Sequence, residues 1–291
     1  MFKGSNVALI TPFKDNGLDE EAYIKLIHFH MDNGTSGLVP AGTTGESPTL
    51  NHDEHCEVVS FVVEKTAKRI PVIAGTGANS TSEAIALTKY AYEAGVDGCL
   101  SVTPYYNKPT QAGIVKHFEY LATCTDLPII LYNVPGRTGS NMSPETSLEL
   151  SKIENIVAVK EASGNMEQIM EIIRLRRPDF GVLSGDDNLT MPLIAAGADG
   201  VISVVANAFP KKFSTMVHAS MTGDLDSARK EHYDLFNITK MFFEEGNPGG
   251  VKVALAARGL MQETMRLPLY PVSEGLRKRI QAETTRLLAG L

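Results

Sequence analysis

Short apolar, β-branched runs recur along the chain, and each ends in small or polar residues before an amphipathic stretch follows. Runs of this length and composition are typical of strands covered on both faces, as in a parallel sheet. Their starts lie 20 to 34 residues apart, which matches the size of one β-loop-α unit. Eight runs fit this description: residues 7–12, 37–42, 71–77, 98–104, 128–135, 156–163, 180–187 and 200–207.

Helix signals lie between these runs. Residues 51–54 (NHDE) and 80–83 (STSE) match the capping box, in which a side-chain acceptor is followed by a carboxylate three residues on. Ser143 precedes a proline at the first position of another predicted helix. Strand runs therefore alternate with helices up to residue 207.

The strand pattern then stops, and the next candidates are all helical: residues 210–222, 225–243, 250–259 and 272–289. The chain therefore predicts an α/β fold, a (β/α)8 TIM barrel over residues 1–223 with a C-terminal helical segment over 224–291. An open doubly wound sheet is the alternative. Such a sheet normally carries a glycine-rich phosphate loop after its first strand, and residues 11–13 (TPF) are not one.

Composition and charge exclude some function classes. The net charge is −7 and no Lys/Arg cluster forms a basic face, which argues against a nucleic-acid partner. No run approaches the roughly 18 apolar residues of a membrane span, and the N-terminal apolar stretch is too short for a signal peptide. The three cysteines form no CxxC pair, which fits a reducing compartment. We therefore expect a cytoplasmic protein.

Lys160 is the strongest candidate for a catalytic residue. Strand alternation puts it on the same face as Ala158 and Ala162. If the valines between them pack against helices, the lysine points into the barrel and loses water. Desolvation that lowers its pKa from about 10.4 to roughly 7–8 makes a usable amine nucleophile for a carbonyl. The competing interpretation is a strand-end lysine paired with an acid such as Glu161.

Other polar groups gather where neighbouring strands end, the rim on which such barrels carry their active sites. Residues 42–45 (GTTG) offer backbone N–H groups and two hydroxyls, a nest suited to a carboxylate. Tyr132 and Tyr106 can relay protons, and Arg137 can clamp a second carboxylate. Taken singly, packing explains either tyrosine better, and a surface role explains Arg137 equally well. Their grouping with Lys160 favours a nucleophilic site.

Metal and organic cofactors are not expected. His52 and His55 lie three residues apart with acids nearby, but no third ligand or zinc motif accompanies them. The sequence also contains no Walker or dinucleotide-binding loop.

These motifs resemble those of the dihydrodipicolinate synthase family, which belongs with the pyruvate-dependent class I aldolases that include N-acetylneuraminate lyase. The resemblance runs nearly end to end, from residues 2–5 (FKGS) to the final helix. Its motifs are residues 42–47 (GTTGES), 103–109 (TPYYNKP), 132–139 (YNVPGRTG), 160–164 (KEASG) and 184–187 (SGDD).

The resemblance implies a reaction and roles. Lys160 would condense with the ketone of pyruvate, and the resulting enamine would attack L-aspartate-4-semialdehyde to give 4-hydroxy-tetrahydrodipicolinate, the first committed step of the diaminopimelate route to lysine. Thr43, Tyr132 and Tyr106 would form a proton relay, with Tyr106 reaching into the site of a neighbouring subunit. Thr43 and Thr44 would hold the pyruvate carboxylate.

The same resemblance implies roles for the other residues of the pocket. Arg137 would receive the carboxylate of the semialdehyde. Gly185 and the backbone carbonyl of Ile202 would line the pocket. No metal or organic cofactor would be required, because the imine itself acts as the electron sink.

The family also implies a homotetramer of two tight dimers, and in many members lysine inhibits by binding at the tight-dimer interface. The competing interpretation is that Glu83 serves only the capping box. Pro48 stands where many relatives carry alanine and would stiffen the loop after Ser47. The positions that match the lysine site are Ser47, His52, His55, Asn79, Glu83 and Tyr105.

Two other functions remain open. A sister aldolase would act on a sugar acid, but such lyases usually have Ser-Thr in place of Thr43-Thr44 and no arginine matching Arg137. A catalytically inactive barrel would only bind a keto acid. The joint presence of Lys160, Tyr132, Tyr106 and Thr43 argues against it.

Overall fold

The computed structural model describes residues 2–289, and its centre is a parallel eight-stranded sheet. Each strand lies in or overlaps one of the eight predicted runs, so the predicted barrel is confirmed. The strands are β1 (Gly4–Ala8), β2 (Gly37–Val39), β3 (Ile73–Gly75), β4 (Gly98–Val102), β5 (Ile129–Asn133), β6 (Ile156–Glu161), β7 (Gly181–Ser184) and β8 (Gly200–Ser203).

The sheet closes on itself. Its strand order is β2-β1-β8-β7-β6-β5-β4-β3, and a parallel bridge between Leu38 and Val72 joins the two ends. The Leu38 N–H donates to the Pro71 carbonyl at 2.9 Å, and the Gly75 N–H donates to the Pro40 carbonyl at 3.0 Å. Closure brings the carboxyl ends of all eight strands to one rim.

Helices follow the strands and cover the barrel. Those of the barrel are α1 (Glu20–Met31), α2 (His52–Thr66), α3 (Thr81–Ala94), α4 (Gln111–Ala122), α5 (Pro144–Leu150), α6 (Met166–Leu175), α7 (Thr190–Ala195) and α8 (Pro210–Thr222). The C-terminal segment adds α9 (Leu225–Glu244), α10 (Gly249–Ala257) and α11 (Glu274–Ala289). A hairpin of Phe13–Lys14 with Gly17–Leu18, which the sequence pattern did not predict, follows β1.

Strand alternation divides the core in two. The barrel interior holds a small apolar cluster that includes Ala158, Ile130 and Ile202. The larger cluster lies between the sheet and the helices, and Val159 belongs to it. Because Val159 faces the helices, the next residue, Lys160, faces the barrel interior, as strand alternation predicted.

One of the two predicted capping boxes is confirmed. The Asn51 side chain accepts from the Glu54 N–H, and the Glu54 carboxylate accepts from the Asn51 N–H at 2.9 Å. At α3 the prediction was wrong, because the Ser80 side chain makes no capping bond there. Its hydroxyl lies 2.9 Å from the Ser82 hydroxyl, and the Glu83 carboxylate lies 2.9 Å from His52 instead.

The C-terminal segment packs on the barrel through α8 and α9. Lys212 of α8, almost fully buried, pairs with Asp234 of α9 at 2.6 Å and with Glu231 at 3.3 Å. Gly223, in the left-handed region with φ 83°, forms the turn between the two helices. The division of the chain into two units at this turn stays a prediction.

Across residues 2–289, every helix is too short or too polar to span a lipid bilayer.

Candidate active site

Lys160 lies near the end of β6, inside the barrel mouth. Its side chain is 5% exposed, and its Nζ lies 4.3 Å from the centre of the Tyr132 ring. Burial lowers the pKa of Lys160 to about 8, with Asp187 and Asp186 opposing that shift and Arg137 adding to it. At pH 7 roughly a tenth of this amine is therefore uncharged, far more than for an ordinary lysine.

The loop after β7 carries two carboxylates, Asp186 and Asp187, whose charges act on the Lys160 amine. Asp187 is held by the Ser203 hydroxyl and by the backbone N–H groups of Val204 at 3.1 Å and Val205 at 3.4 Å. Burial raises the pKa of Asp187 to about 6 and also raises the pKa of Asp186. Asp187 is thus held in place by the end of β8 and the residues that follow it, whereas Asp186 lines the cavity described below.

Glu161 does not pair with Lys160. Its buried carboxylate accepts from the Ser163 hydroxyl at 2.5 Å, from the Gln168 amide at 3.3 Å, and from Asn133. Adjacent strand residues point to opposite faces, so this network lies behind the sheet. The pair between Lys160 and Glu161 that the alternative interpretation offered is therefore not formed.

A cavity of about 590 Å³ opens at the carboxyl ends of the strands and holds most of the predicted residues. It is lined by the predicted catalytic and substrate-binding residues Thr43, Thr44, Tyr132, Arg137, Lys160 and Gly185. It continues without interruption to five of the six residues matched to the lysine site, Ser47, His52, His55, Glu83 and Tyr105.

The loop after β2 forms another part of the cavity wall. Thr44 is buried, and its hydroxyl accepts from the Asn247 side-chain amide at 2.9 Å. Tyr132 is buried too, which raises the pKa of its phenol to about 12, while Arg137 and a hydrogen bond with Thr43 act to lower it. The phenol therefore keeps its proton at neutral pH and is available as a donor.

Arg137 stands at the outer edge of the cavity. It belongs to a single helical turn, Pro135–Thr138, which follows β5 and ends at Gly139 with φ 71°. The residue is exposed, so its guanidinium can meet a ligand that enters from solvent.

Three predicted residues lie outside the cavity lining. Tyr106 is 88% exposed, and its backbone is in the left-handed region with φ 72°. Ile202 is fully buried in the barrel interior. Asn79 uses its backbone carbonyl to accept from the Asn107 amide at 2.9 Å. Within one chain, Tyr106 is thus not assembled with Lys160.

The second part of the cavity is polar. His52 Nε2 lies 2.9 Å from the Glu83 carboxylate, and His55 Nε2 lies 2.8 Å from the Gly75 carbonyl. Burial lowers the pKa of His55, so it is neutral at physiological pH and can donate one hydrogen bond. In residues 2–289 we find no cluster of three or more His, Cys, Asp or Glu able to hold a metal ion.

Sequence reasoning missed the contribution of the C-terminal segment. Phe243 at the end of α9 and Asn247 after it line the cavity. Lys252 of α10 forms a fully buried ion pair with Glu46, directly after the residues that form the carboxylate nest. No local pattern links these positions, since about 200 residues separate the partners along the chain.

The chain belongs to the dihydrodipicolinate synthetase family, whose model matches residues 1–287. A similar protein is the 4-hydroxy-tetrahydrodipicolinate synthase of Geobacter sulfurreducens, 52% identical over 282 residues and covering 97% of each chain.

Two similar solved structures carry ligands. One is the chloride-inhibited dihydrodipicolinate synthase of Acinetobacter baumannii complexed with pyruvate, with TM-score 0.96, 43% identity and 99% coverage of each chain. The other is the same type of enzyme from Cyanidioschyzon merolae with lysine bound, with TM-score 0.95, 40% identity and 98% coverage of each chain.

Proposed function

We propose that this chain is a Schiff-base lyase that condenses pyruvate with L-aspartate-4-semialdehyde to 4-hydroxy-tetrahydrodipicolinate, the first committed step of the diaminopimelate route to lysine. The observation that carries the proposal is a buried amine with a pKa near 8, Lys160, facing the Tyr132 phenol in a cavity open to solvent. A relative with 52% identity carries this activity in its name.

The first half of the reaction uses Lys160. Its neutral Nζ attacks the pyruvate ketone, and the resulting carbinolamine takes up one proton and loses one water to give an iminium. The Thr43 and Thr44 loop holds the pyruvate carboxylate through backbone N–H groups and hydroxyls. The iminium withdraws electrons from the adjacent methyl group, which loses a proton to give an enamine. This electron sink makes a metal or organic cofactor unnecessary.

The second half joins the two substrates. The enamine carbon attacks the aldehyde, whose oxygen becomes a hydroxyl by taking a proton from Tyr132. Arg137 holds the semialdehyde carboxylate at the cavity edge. The amine of the semialdehyde then attacks the imine carbon, which closes the ring and releases Lys160. Gly185 forms part of the pocket wall beside these groups.

Exposure of Tyr106 fits a role across subunits. A phenol that is 88% exposed and outside its own cavity can complete the proton relay only in a neighbouring copy. We therefore propose a homotetramer of two tight dimers, in which Tyr106 enters the partner's site. The three free cysteines fit action in the reducing cytoplasm.

Borohydride trapping tests the proposal. Pyruvate with borohydride should add one pyruvate-derived mass to Lys160, located by peptide mass spectrometry, and a coupled assay should show turnover with the semialdehyde. An unmodified Lys160 would refute both this function and the sister aldolase and leave the inactive keto-acid-binding barrel. Trapping without semialdehyde turnover would favour the sister aldolase that acts on a sugar acid.

Arg137→Ala should lower kcat/KM for the semialdehyde by about 10- to 100-fold, because a charge-assisted contact contributes about 1.5–3 kcal/mol. Trapping with pyruvate alone should change far less, since the pyruvate carboxylate is assigned to the Thr43 and Thr44 loop and Arg137 only adds to the lowering of the Lys160 pKa by burial. Arg229→Ala, an exposed arginine paired with Asp226, is the matched control. Normal semialdehyde kinetics in Arg137→Ala would contradict its assigned role.

We also propose that lysine binds the polar part of the cavity and inhibits. The cavity brings together five of the six predicted ligands, Ser47, His52, His55, Glu83 and Tyr105, and Glu83 supplies the carboxylate for an amine. Its carboxylate bonds with His52 rather than capping α3. Lysine is bound in the C. merolae relative.

Glu83→Ala should abolish saturable inhibition by lysine, because the charged partner of the ligand is lost. Steady-state rates measured at increasing lysine concentrations check this. Glu64 is an exposed carboxylate of α2, and the Glu64→Ala variant should be inhibited by lysine like the unmodified protein. A flat lysine titration in the unmodified protein would refute the regulatory proposal.

A further inference from the structure

One buried cation, Lys252, connects the C-terminal segment to the loop after β2, whose residues 42–45 form the carboxylate nest. Lys252 is 0% exposed, and its ammonium pairs with Glu46. The same Nζ donates to the Thr11 carbonyl at 3.0 Å and to the Thr264 carbonyl at 2.7 Å. All three ammonium protons are therefore used, and they join the loops after β1 and β2 to α10.

Glu46 depends on these partners. Its backbone is in the left-handed region with φ 58°, which is unfavourable for a residue with a side chain. Its second carboxylate oxygen accepts from the Arg266 N–H at 3.2 Å. The Arg266 guanidinium in turn contacts Glu54 of α2 at 2.8 Å. The C-terminal segment thus supplies both groups that fix the Glu46 carboxylate.

The residue before Glu46 packs against the same loop that Lys252 contacts. Gly45 lies so close to the loop after β1 that a Cβ atom there would be 2.9 Å from the Leu9 carbonyl oxygen. The Thr11 hydroxyl donates to the Gly45 carbonyl at 2.7 Å. Thr11 therefore touches both Gly45 and Lys252, so the cation and the nest share one set of contacts.

A second contact reaches the nest directly. Asn247 is 7% exposed, lines the cavity and donates its side-chain amide to the Thr44 hydroxyl at 2.9 Å. This bond occupies one lone pair of the hydroxyl oxygen. The hydroxyl proton of Thr44 is then free to point at a carboxylate in the cavity.

We infer that Lys252 and Asn247 are positioning residues for the carboxylate of the 2-oxo acid, acting through Glu46 and Thr44. The inference rests on the proposed function. Loss of Lys252 leaves the Glu46 carboxylate buried without a cation, and the strained turn relaxes away from the geometry that suits the ligand. Loss of the Asn247 amide lets the Thr44 hydroxyl rotate away from the ligand.

Lys252→Met and Asn247→Ala test the inference. Each should raise the pyruvate concentration needed for half-maximal borohydride trapping at Lys160 by roughly tenfold, since each weakens a hydrogen bond to a charged ligand. The pyruvate KM should rise in parallel, whereas the semialdehyde KM should change less than twofold. A split between the two substrates is not expected from a general loss of stability.

Lys212→Met is the matched control. Lys212 is also buried and ion-paired to the C-terminal segment, but it lies outside the cavity lining. It should leave the half-maximal pyruvate concentration unchanged. If Lys252→Met does not fold, Asn247→Ala decides the outcome, because it removes an amide from a cavity wall rather than a buried charge.

The outcomes separate the inference from the proposed function. No trapping in the unmodified protein overturns both. Normal trapping there, with an unchanged pyruvate requirement in Asn247→Ala and in any folded Lys252→Met, overturns the inference alone. An equal shift in Lys212→Met, or equal changes in both KM values, also overturns it.

Discussion

Replacing Lys160 by methionine should reduce kcat by roughly 10⁴-fold or more. In a serine protease, loss of the covalent nucleophile lowers kcat by about 10⁶-fold. Methionine keeps an unbranched chain of similar length, so the barrel interior remains filled. Removal of a buried amine whose pKa is lowered by burial also relieves a desolvation cost. The folded variant should therefore be stable but inactive. A coupled assay and thermal unfolding measure the two effects.

Lys116→Met provides the control for this substitution. Lys116 lies on α4, exposed and paired with Glu119, and its replacement should leave turnover unchanged. Pyruvate-dependent turnover in Lys160→Met, or borohydride trapping at another lysine, would contradict the assignment of Lys160.

The pH dependence of trapping follows from the same amine. A pKa lowered to about 8 means that the amine is mostly protonated below pH 8 and mostly neutral above it. The initial rate of imine trapping in the unmodified protein should therefore rise with pH through that region. A lysine with an ordinary pKa, about 10.4, would instead keep rising toward pH 10.

Local sequence patterns were enough to predict the barrel and the face of β6 on which Lys160 lies. Continuous β-branched runs locate strands because they are buried on both faces, and alternation within 156–163 separates Val159 from Lys160. Both signals act within a few residues. They also bring residues 42–45 and Tyr132 to the same rim, since all parallel strands end there.

Contacts between distant segments could not be predicted in this way. The bond from Asn247 to Thr44 joins residues 203 apart, and no periodicity encodes it. The error at Ser80 has the same cause, because Glu83 satisfies the sequence rule for a capping box but meets His52 of another helix. Tertiary partners decided both cases, and the sequence of one chain does not identify them.

Tyr132→Phe should lower kcat by about 10²- to 10⁴-fold, the usual contribution of a positioned acid or base. The ring that packs 4.3 Å from the Lys160 amine is retained, so the imine should still form and be trapped, but more slowly. Burial raises the pKa of Tyr132 to about 12, so the phenol is a proton donor at neutral pH and its loss removes the proton needed by the aldehyde oxygen. Rapid-quench mass spectrometry separates trapping from turnover.

Tyr90→Phe is the comparison that makes this result specific. Its phenol lies 2.7 Å from the Ser60 hydroxyl, between α2 and α3, and is not part of the cavity lining. It removes the same oxygen from a partly buried tyrosine, so both variants should lose similar packing and hydrogen bonding. If Tyr132 only packs against Lys160, the two variants should turn over alike. If it transfers the proton, Tyr132→Phe alone should accumulate the imine without releasing product.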